Sequence, residues 1–418
     1  MAIELGASTG RHAHAARSLR RPLGYAISCF LVWGFAYGLL DVLNKHFQET
    51  LHIGKARSSW LQIAYFGAYL LMSMPAGILL QAKGYKVGIL CGLAVTAAGA
   101  LLFIPSAQAA SFPDFVGAMF ILAAGLCFLE TAADTYVSVL GPAEHAPQRL
   151  NLAQSFNAVG VFFGPLVGGA LFFNASVAAH LGGEQKAVQI TYLVVAGLIV
   201  VFALALWRAD LPEIAGASAG EAVHDRSRES LPLWSRRHFV LGVATQALYL
   251  GAQVGIGAFF LNLVTETWPG LSSQQGAFLL SLAAVGYLVG RFASTALLLR
   301  ISARALLTFY GLANVILCLV VAEGIRMLSA IALVAVFFFM STMFATIFTL
   351  GVKDLGASTK RGASIMVMAI GGGVLLPYPM GRIADLHGTP AAFLLPAVSF
   401  AMVALYGWKG AALADRAA

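Results

Sequence analysis

Twelve apolar runs of about 20 residues, each nearly free of charge, constrain this chain more than anything else in its sequence. They fall at 24–46, 59–82, 87–108, 115–140, 151–174, 188–207, 238–264, 275–299, 305–322, 329–351, 362–384 and 391–408. Hydrocarbon offers no water to peptide groups, so a run of this length must close its own hydrogen bonds, which a helix does within one segment. The expected fold class is an all-α polytopic membrane protein, with twelve transmembrane helices in two six-helix bundles. Charged residues make up only 11% of the chain, against about 25% in soluble domains.

The runs divide into two sixes around a polar stretch. The expected organisation is an N-terminal tail over 1–23, a first bundle over 24–207, a linker over 208–237, a second bundle over 238–408 and a C-terminal tail over 409–418. Basic residues alternate from loop to loop. The tail carries Arg11, Arg17, Arg20 and Arg21, and the linker Arg208, Arg226, Arg228, Arg236 and Arg237, whereas the opposite loops hold only Lys45, Lys55, Arg57, Lys186 and Arg326. Lys and Arg collect on the cytoplasmic side, so both tails and the linker are expected there, with the chain in the cell inner membrane. The same placement accounts for the net charge of +8 without a nucleic-acid partner. No cleavable signal peptide is expected, because the first apolar run is long and lacks a clear cleavage site.

Several function classes fall away. Cys29, Cys91, Cys127 and Cys318 all lie in apolar runs with no CxxC spacing, and read as small packing residues. No histidine lies mid-run, so neither a metal centre nor a histidine relay is expected, and no cofactor. No Walker loop or nucleotide fingerprint sits in a suitable context, which leaves an ion gradient or the solute's own gradient as the energy source. An embedded enzyme lacks any His, Cys or Ser cluster of catalytic spacing.

What remains to explain is acid in the membrane. Gly125–Pro142, GLCFLETAADTYVSVLGP, sets Glu130 well inside the fourth run, with Asp134 one turn later. A carboxylate at a helix centre costs roughly 2.5–3.5 kcal/mol and usually faces an aqueous cavity or a partner. It either holds helices together or takes up and releases a proton as a solute crosses. Asp41, in GFAYGLLDVLNKHF of the first run, reads as a snorkelling end charge or as a second proton carrier at another depth. Asp354 and Asp385 read as loop and helix-end charges.

Amides and phenols recur at helical spacing. Gln154 and Asn157 are three apart in LNLAQSFNAVG, and Gln246, Tyr249 and Gln253 fall at i, i+3 and i+7 in TQALYLGAQVGIG. Such a stripe either glues helices or lines a site for a small polyhydroxyl ligand, with rings for its C–H face. Arg291 in the eighth run is a structural ion partner or a substrate contact. Gly160, Gly164 and Gly168 are four apart, a spacing that lets two helices approach closely. Gly371–Pro379, GGGVLLPYP, is expected to unwind or bend the eleventh run.

At these residues the chain resembles the fucose:proton symporter family of the major facilitator superfamily. The resemblance spans all twelve runs and is sharpest at LETAA (Leu129–Ala133) with VLGP (Val139–Pro142), RLNLAQSFN (Arg149–Asn157), the stripe Gln246, Tyr249 and Gln253, and TIFTLGVKDLG (Thr346–Gly356). It implies the major facilitator fold and a carrier, not an enzyme, that imports a hexose with a proton. It also implies that Asp41 and Glu130 serve protonation and sugar recognition, with Gln154 and Asn157 as the span-5 amides of the sugar site. Where the family's fucose carrier has asparagines ahead of the first acid, this chain has Tyr37, Gly38 and Leu40. Met343 and Ala345 likewise replace polar or proline positions, and Asp134–Thr135 replaces asparagine–proline. Amides are thereby stripped from the expected cavity, and L-fucose, glucose, galactose and an N-acetylated hexosamine stay open as substrates.

The expected protein is thus a monomer in the lipid bilayer whose small-molecule partners are a sugar and a proton. Asp41 and Glu130 carry the proton. Glu130, Gln154, Asn157, Gln246, Tyr249, Gln253, Tyr37 and Arg291 line the sugar site. A sugar uniporter or exporter on the same fold is the alternative.

Overall fold

The computed structural model describes residues 2–140, 146–212, 233–355 and 358–413. The linker's Arg226 and Arg228, the Gly141–Pro142 end of VLGP, Gly356 and residues 414–418 of the C-terminal tail lie outside the described residues, as do the side chains of residues 1–20. Among the described residues, twelve helices are long and apolar enough to cross a membrane, and each coincides with one of the expected runs. Spans 1 to 6 are Arg21–Thr50, Lys55–Lys83, Tyr85–Ala109, Phe112–Val139, Leu152–Phe172 and Gln185–Arg208. Spans 7 to 12 are Arg237–Thr267, Ser273–Leu297, Ala303–Ala322, Arg326–Gly351, Gly362–His387 and Thr389–Leu413. The first span continues a helix that begins at Ala2.

Spans 1–6 pack among themselves and spans 7–12 among themselves, and three pairings join the two sets: 1 with 7, 2 with 11, and 5 with 8. Matching the sets in order (1 to 7, 2 to 8, 5 to 11), this trio of pairings maps onto itself. The two halves therefore meet about a pseudo-twofold relation, the arrangement expected of a repeat-built carrier.

Small residues set how closely the helices approach. A Cβ at Gly164 would stand 2.6 Å from the Gly38 Cα, and one at Gly160 would stand 2.4 Å from the Leu31 carbonyl oxygen. Span 5 thus lies backbone to backbone on span 1, as the four-residue glycine spacing predicts. Span 11 also breaks where expected. Its α-helix Thr359–Met368 passes into a 3-10 stretch, Ala369–Val374, before an α-helix resumes over Pro377–His387. Span 10 is interrupted too, between Arg326–Met340 and Met343–Gly351, a break with no proline to announce it.

Successive spans alternate in direction. One end of the bundle, the first-loop end, therefore holds residues 51–54 and the ends of spans 1, 7 and 11, and the other holds the start of span 1 and the end of span 12. The halves are tied together at the first-loop end. Asn44 Nδ2 donates to the Ala258 carbonyl at 2.7 Å, and Asn262 Nδ2 donates to Gln48 Oε1 at 2.5 Å. Further out, Ser273 Oγ donates to Glu49 Oε1 at 2.6 Å and Lys55 Nζ lies 2.7 Å from Glu266 Oε1. Asp385, read from the sequence as a helix-end charge, reaches across the halves. Its two carboxylate oxygens accept from the backbone N–H groups of Lys55 and Ala56 at 2.8 and 2.9 Å, at the start of the short helix Lys55–Ser58.

Candidate functional site

Asp41 sits on span 1 between the halves, 8% exposed. On one side Gln62 of span 2 donates its Nε2 to Asp41 Oδ1 at 3.4 Å. On the other lies Gly257 of span 7, where a Cβ would stand 2.5 Å from Asp41 Oδ2. The acid is therefore buried and not snorkelling, and it makes no ion pair among the described residues. It is held in the seam, against an amide and a bare stretch of backbone from the opposite half.

Span 2 carries the site inward from there. Gln62, Tyr65 and Tyr69 fall at i, i+3 and i+7 on one face, which spreads them over about 10 Å of helix rise. Tyr65 lies 5.9 Å from the Tyr37 ring and stacks on Tyr69 at 5.4 Å. Tyr37 stands near Asp41, and Tyr65 and Tyr69 stand near Glu130. A column of phenols thus runs from one acid toward the other; at its far end Ser73 Oγ donates to the Tyr69 carbonyl and lies 3.6 Å from Cys127 Sγ. Glu130 Oε2 and Asp134 Oδ1 are buried with no hydrogen-bond partner among the described residues. The two acids share a face one turn apart on span 4, so Asp134 belongs to the same group as Glu130.

The second half contributes a cluster around Tyr249. Its hydroxyl donates to the Met340 carbonyl at 2.9 Å, at the break in span 10. Near it stand Tyr287, Arg291 and, from the first half, Tyr37. The Arg291 guanidinium lies 5.7 Å over the Tyr287 ring. Gln246, one turn from Tyr249, is 0% exposed, and neither its Oε1 nor its Nε2 has a partner among the described residues. Gln253 is half-buried on the same stripe.

The expected residues thus divide. Asp41, Tyr37, Tyr249 and Arg291 are drawn to the seam between the halves, and Glu130 is linked to them through Tyr65 and Tyr69. The Tyr249 O–H is committed to span 10, so its donor is already in use. Asn157 Nδ2 donates to the Phe30 carbonyl at 3.4 Å, which ties span 5 to span 1, while Gln154 is half-buried one turn away. Sequence reasoning missed Gln62, Tyr65, Tyr69 and Tyr287. The first three carry the same i, i+3, i+7 signature as Gln246, Tyr249 and Gln253, so reading span 2 as span 7 was read would have found them.

Chemically, the arrangement offers two depths of carboxyl, aromatic faces between them and unspent amide groups. That suits a proton and a small polyhydroxyl molecule.

Residues 25–374 match the Major Facilitator Superfamily. A glucose/galactose transporter of Brucella abortus is 34% identical over 407 residues, which cover 96% of this chain and 98% of that protein. The L-fucose-proton symporter of Escherichia coli is 33% identical over 414 residues, covering 95% of this chain and 94% of that one. A crystal structure of the fucose symporter in the outward conformation aligns with TM-score 0.65 and 32% identity, over 94% of this chain and 99% of that chain.

Proposed function

The chain belongs to the Major Facilitator Superfamily, and from that premise we propose that it imports a hexose together with a proton by alternating access. It is a transport protein and not an enzyme. Glucose and galactose are the first substrates to try, followed by L-fucose and an N-acetylated hexosamine. The observation that carries the reading is the position of Asp41, an acid seated in the seam where the two halves close on each other. A carboxyl there changes its surroundings whenever the seam opens, which is what coupling a proton to a conformational cycle requires.

In this reading both termini are cytoplasmic, and the first-loop end faces outward and is shut. That is the other state of the cycle from the outward conformation of the fucose symporter. Asp41 takes up the proton from outside. Glu130 accepts it and hydrogen-bonds the sugar. Gln154, Asn157, Gln246, Gln253, Tyr37, Tyr249 and Arg291 contribute to the sugar site from both halves, and the carrier works as a monomer.

The test is transport by purified protein in liposomes, with Glu130→Gln and Asp41→Asn. Each variant is expected to keep sugar counterflow while losing accumulation against a gradient. If both variants still accumulate sugar, the proton route is wrong. A wild-type protein whose sugar uptake fails to alkalinise the medium is a uniporter.

A further inference from the structure

Within the first-loop seam, span 1 presents Asp41, Asn44 and Gln48 at i, i+3 and i+7, a polar ladder along one face. Span 7 answers it with Gly257, the Ala258 carbonyl and Asn262. Two rungs are hydrogen bonds, Asn44 to Ala258 and Asn262 to Gln48. The third is a space. The three heavy atoms nearest to a Cβ built on Gly257 all belong to the Asp41 carboxyl: Oδ2 at 2.5 Å, Cγ at 3.2 Å and Oδ1 at 3.4 Å. Gln62, which bonds Asp41 from behind, is itself fully buried, and so is Ser58, which accepts from Gln48 Nε2 at 2.8 Å.

We propose that Gly257 is a notch that lets span 7 close directly over Asp41, so that shutting the outer seam and cutting this carboxyl off from the outside are one event. The proposal rests on the outward orientation given under Proposed function and adds the residue that makes the closure possible. Closure at this point cannot proceed by side-chain interdigitation, because the carboxyl occupies the volume a side chain on position 257 would need. The amide rungs on the outer side fix the register, so the notch meets Asp41 and not the residues before or after it.

The experiment uses full-length protein in intact cells, with Cys29, Cys91, Cys127 and Cys318 replaced and Ser58→Cys as the only thiol, read by its labelling rate with a membrane-impermeant maleimide. Gly257→Val is expected to raise that rate by about tenfold or more, as a wedge that moves the open–shut equilibrium does. Gly257→Ala should give a smaller rise. The specific contact is tested by Asp41→Ala/Gly257→Val, in which the clashing carboxyl is gone and labelling is expected to return to the slow rate of Asp41→Ala alone. A Gly257→Val rate equal to that of the parent overturns the proposal, as does fast labelling that Asp41→Ala leaves untouched. Should Gly257→Val fail to reach the membrane, Gly257→Ala with and without Asp41→Ala decides by the same two criteria. None of these readouts needs a sugar or a proton gradient. If wild-type sugar uptake moves no proton while the labelling pattern holds, the symport reading falls and the notch stands.

Discussion

Removing the Asp385 carboxylate is expected to loosen the closed seam by an amount the structure lets us work out. Its two oxygens accept backbone N–H groups of Lys55 and Ala56 at 2.8 and 2.9 Å, capping a four-residue helix that belongs to the other half of the molecule. Losing an N-cap acceptor costs about 0.5–2 kcal/mol. Asp385 and its bond to Lys55 are exposed, while the bond to Ala56 is part-buried; water can replace the first acceptor, so the upper part of the range for charged hydrogen bonds, about 3 kcal/mol, does not apply. The neighbouring Lys55–Glu266 pair, at 2.7 Å with side chains 20% and 35% exposed, stays in place and is a surface pair of the kind worth about 0.2–1 kcal/mol. These contacts exist only when the halves are together, so their loss falls entirely on the shut state. A loss of about 0.5–2 kcal/mol lowers the shut-to-open ratio roughly two- to thirtyfold. The assay is pulsed electron–electron resonance between spin labels on Gln185→Cys and Met327→Cys, exposed positions on opposite halves at this end. Asp385→Ala should shift weight to the longer distance, and Asp385→Asn, which retains one acceptor, should shift it less. An unchanged distance distribution in Asp385→Ala, or the same shift from removing the carboxylate of Asp210, which follows span 6 at the opposite end of the bundle, would refute the reasoning.

Gln246→Leu is expected to hold or raise the melting temperature, because a buried amide with neither group bonded among the described residues is exchanged for an apolar side chain. The same change should weaken hexose binding about tenfold or more, read by thermal shift with added sugar; unchanged affinity would remove Gln246 from the site. Tyr249→Phe deletes the hydrogen bond to Met340 and should cost about 0.5–1.5 kcal/mol, seen as a lower melting temperature without sugar. Gly164→Ala forces a Cβ to within 2.6 Å of the Gly38 backbone and should cost about 1–3 kcal/mol through overpacking. Gly67→Ala, with no heavy atom within 4 Å of the added Cβ, is expected to hold stability or raise it by up to about 1 kcal/mol in the same assay.

The sequence by itself determined the twelve membrane crossings. Lipid imposes a length and a composition on each crossing independently, so every span could be read from its own residues without knowing its neighbours. Glu130 and Asp41 stood out for the same reason: an acid in an apolar run is conspicuous wherever the run ends up. The bend at Gly371–Pro379 and the close approach at Gly160–Gly164 were also local patterns, and both are present. What only the tertiary structure decided is which faces meet. Gln62 and Gly257 flank Asp41 from spans 2 and 7, and no periodicity in span 1 points to either. Between helices in lipid the contact surface is small and apolar on all sides, so pairing depends on shape and on a few polar atoms brought from far along the chain. Asp385 shows the limit best. Alone it is one more charge at a helix end, and its work as a clasp exists only because the opposite half presents two free N–H groups within hydrogen-bonding reach.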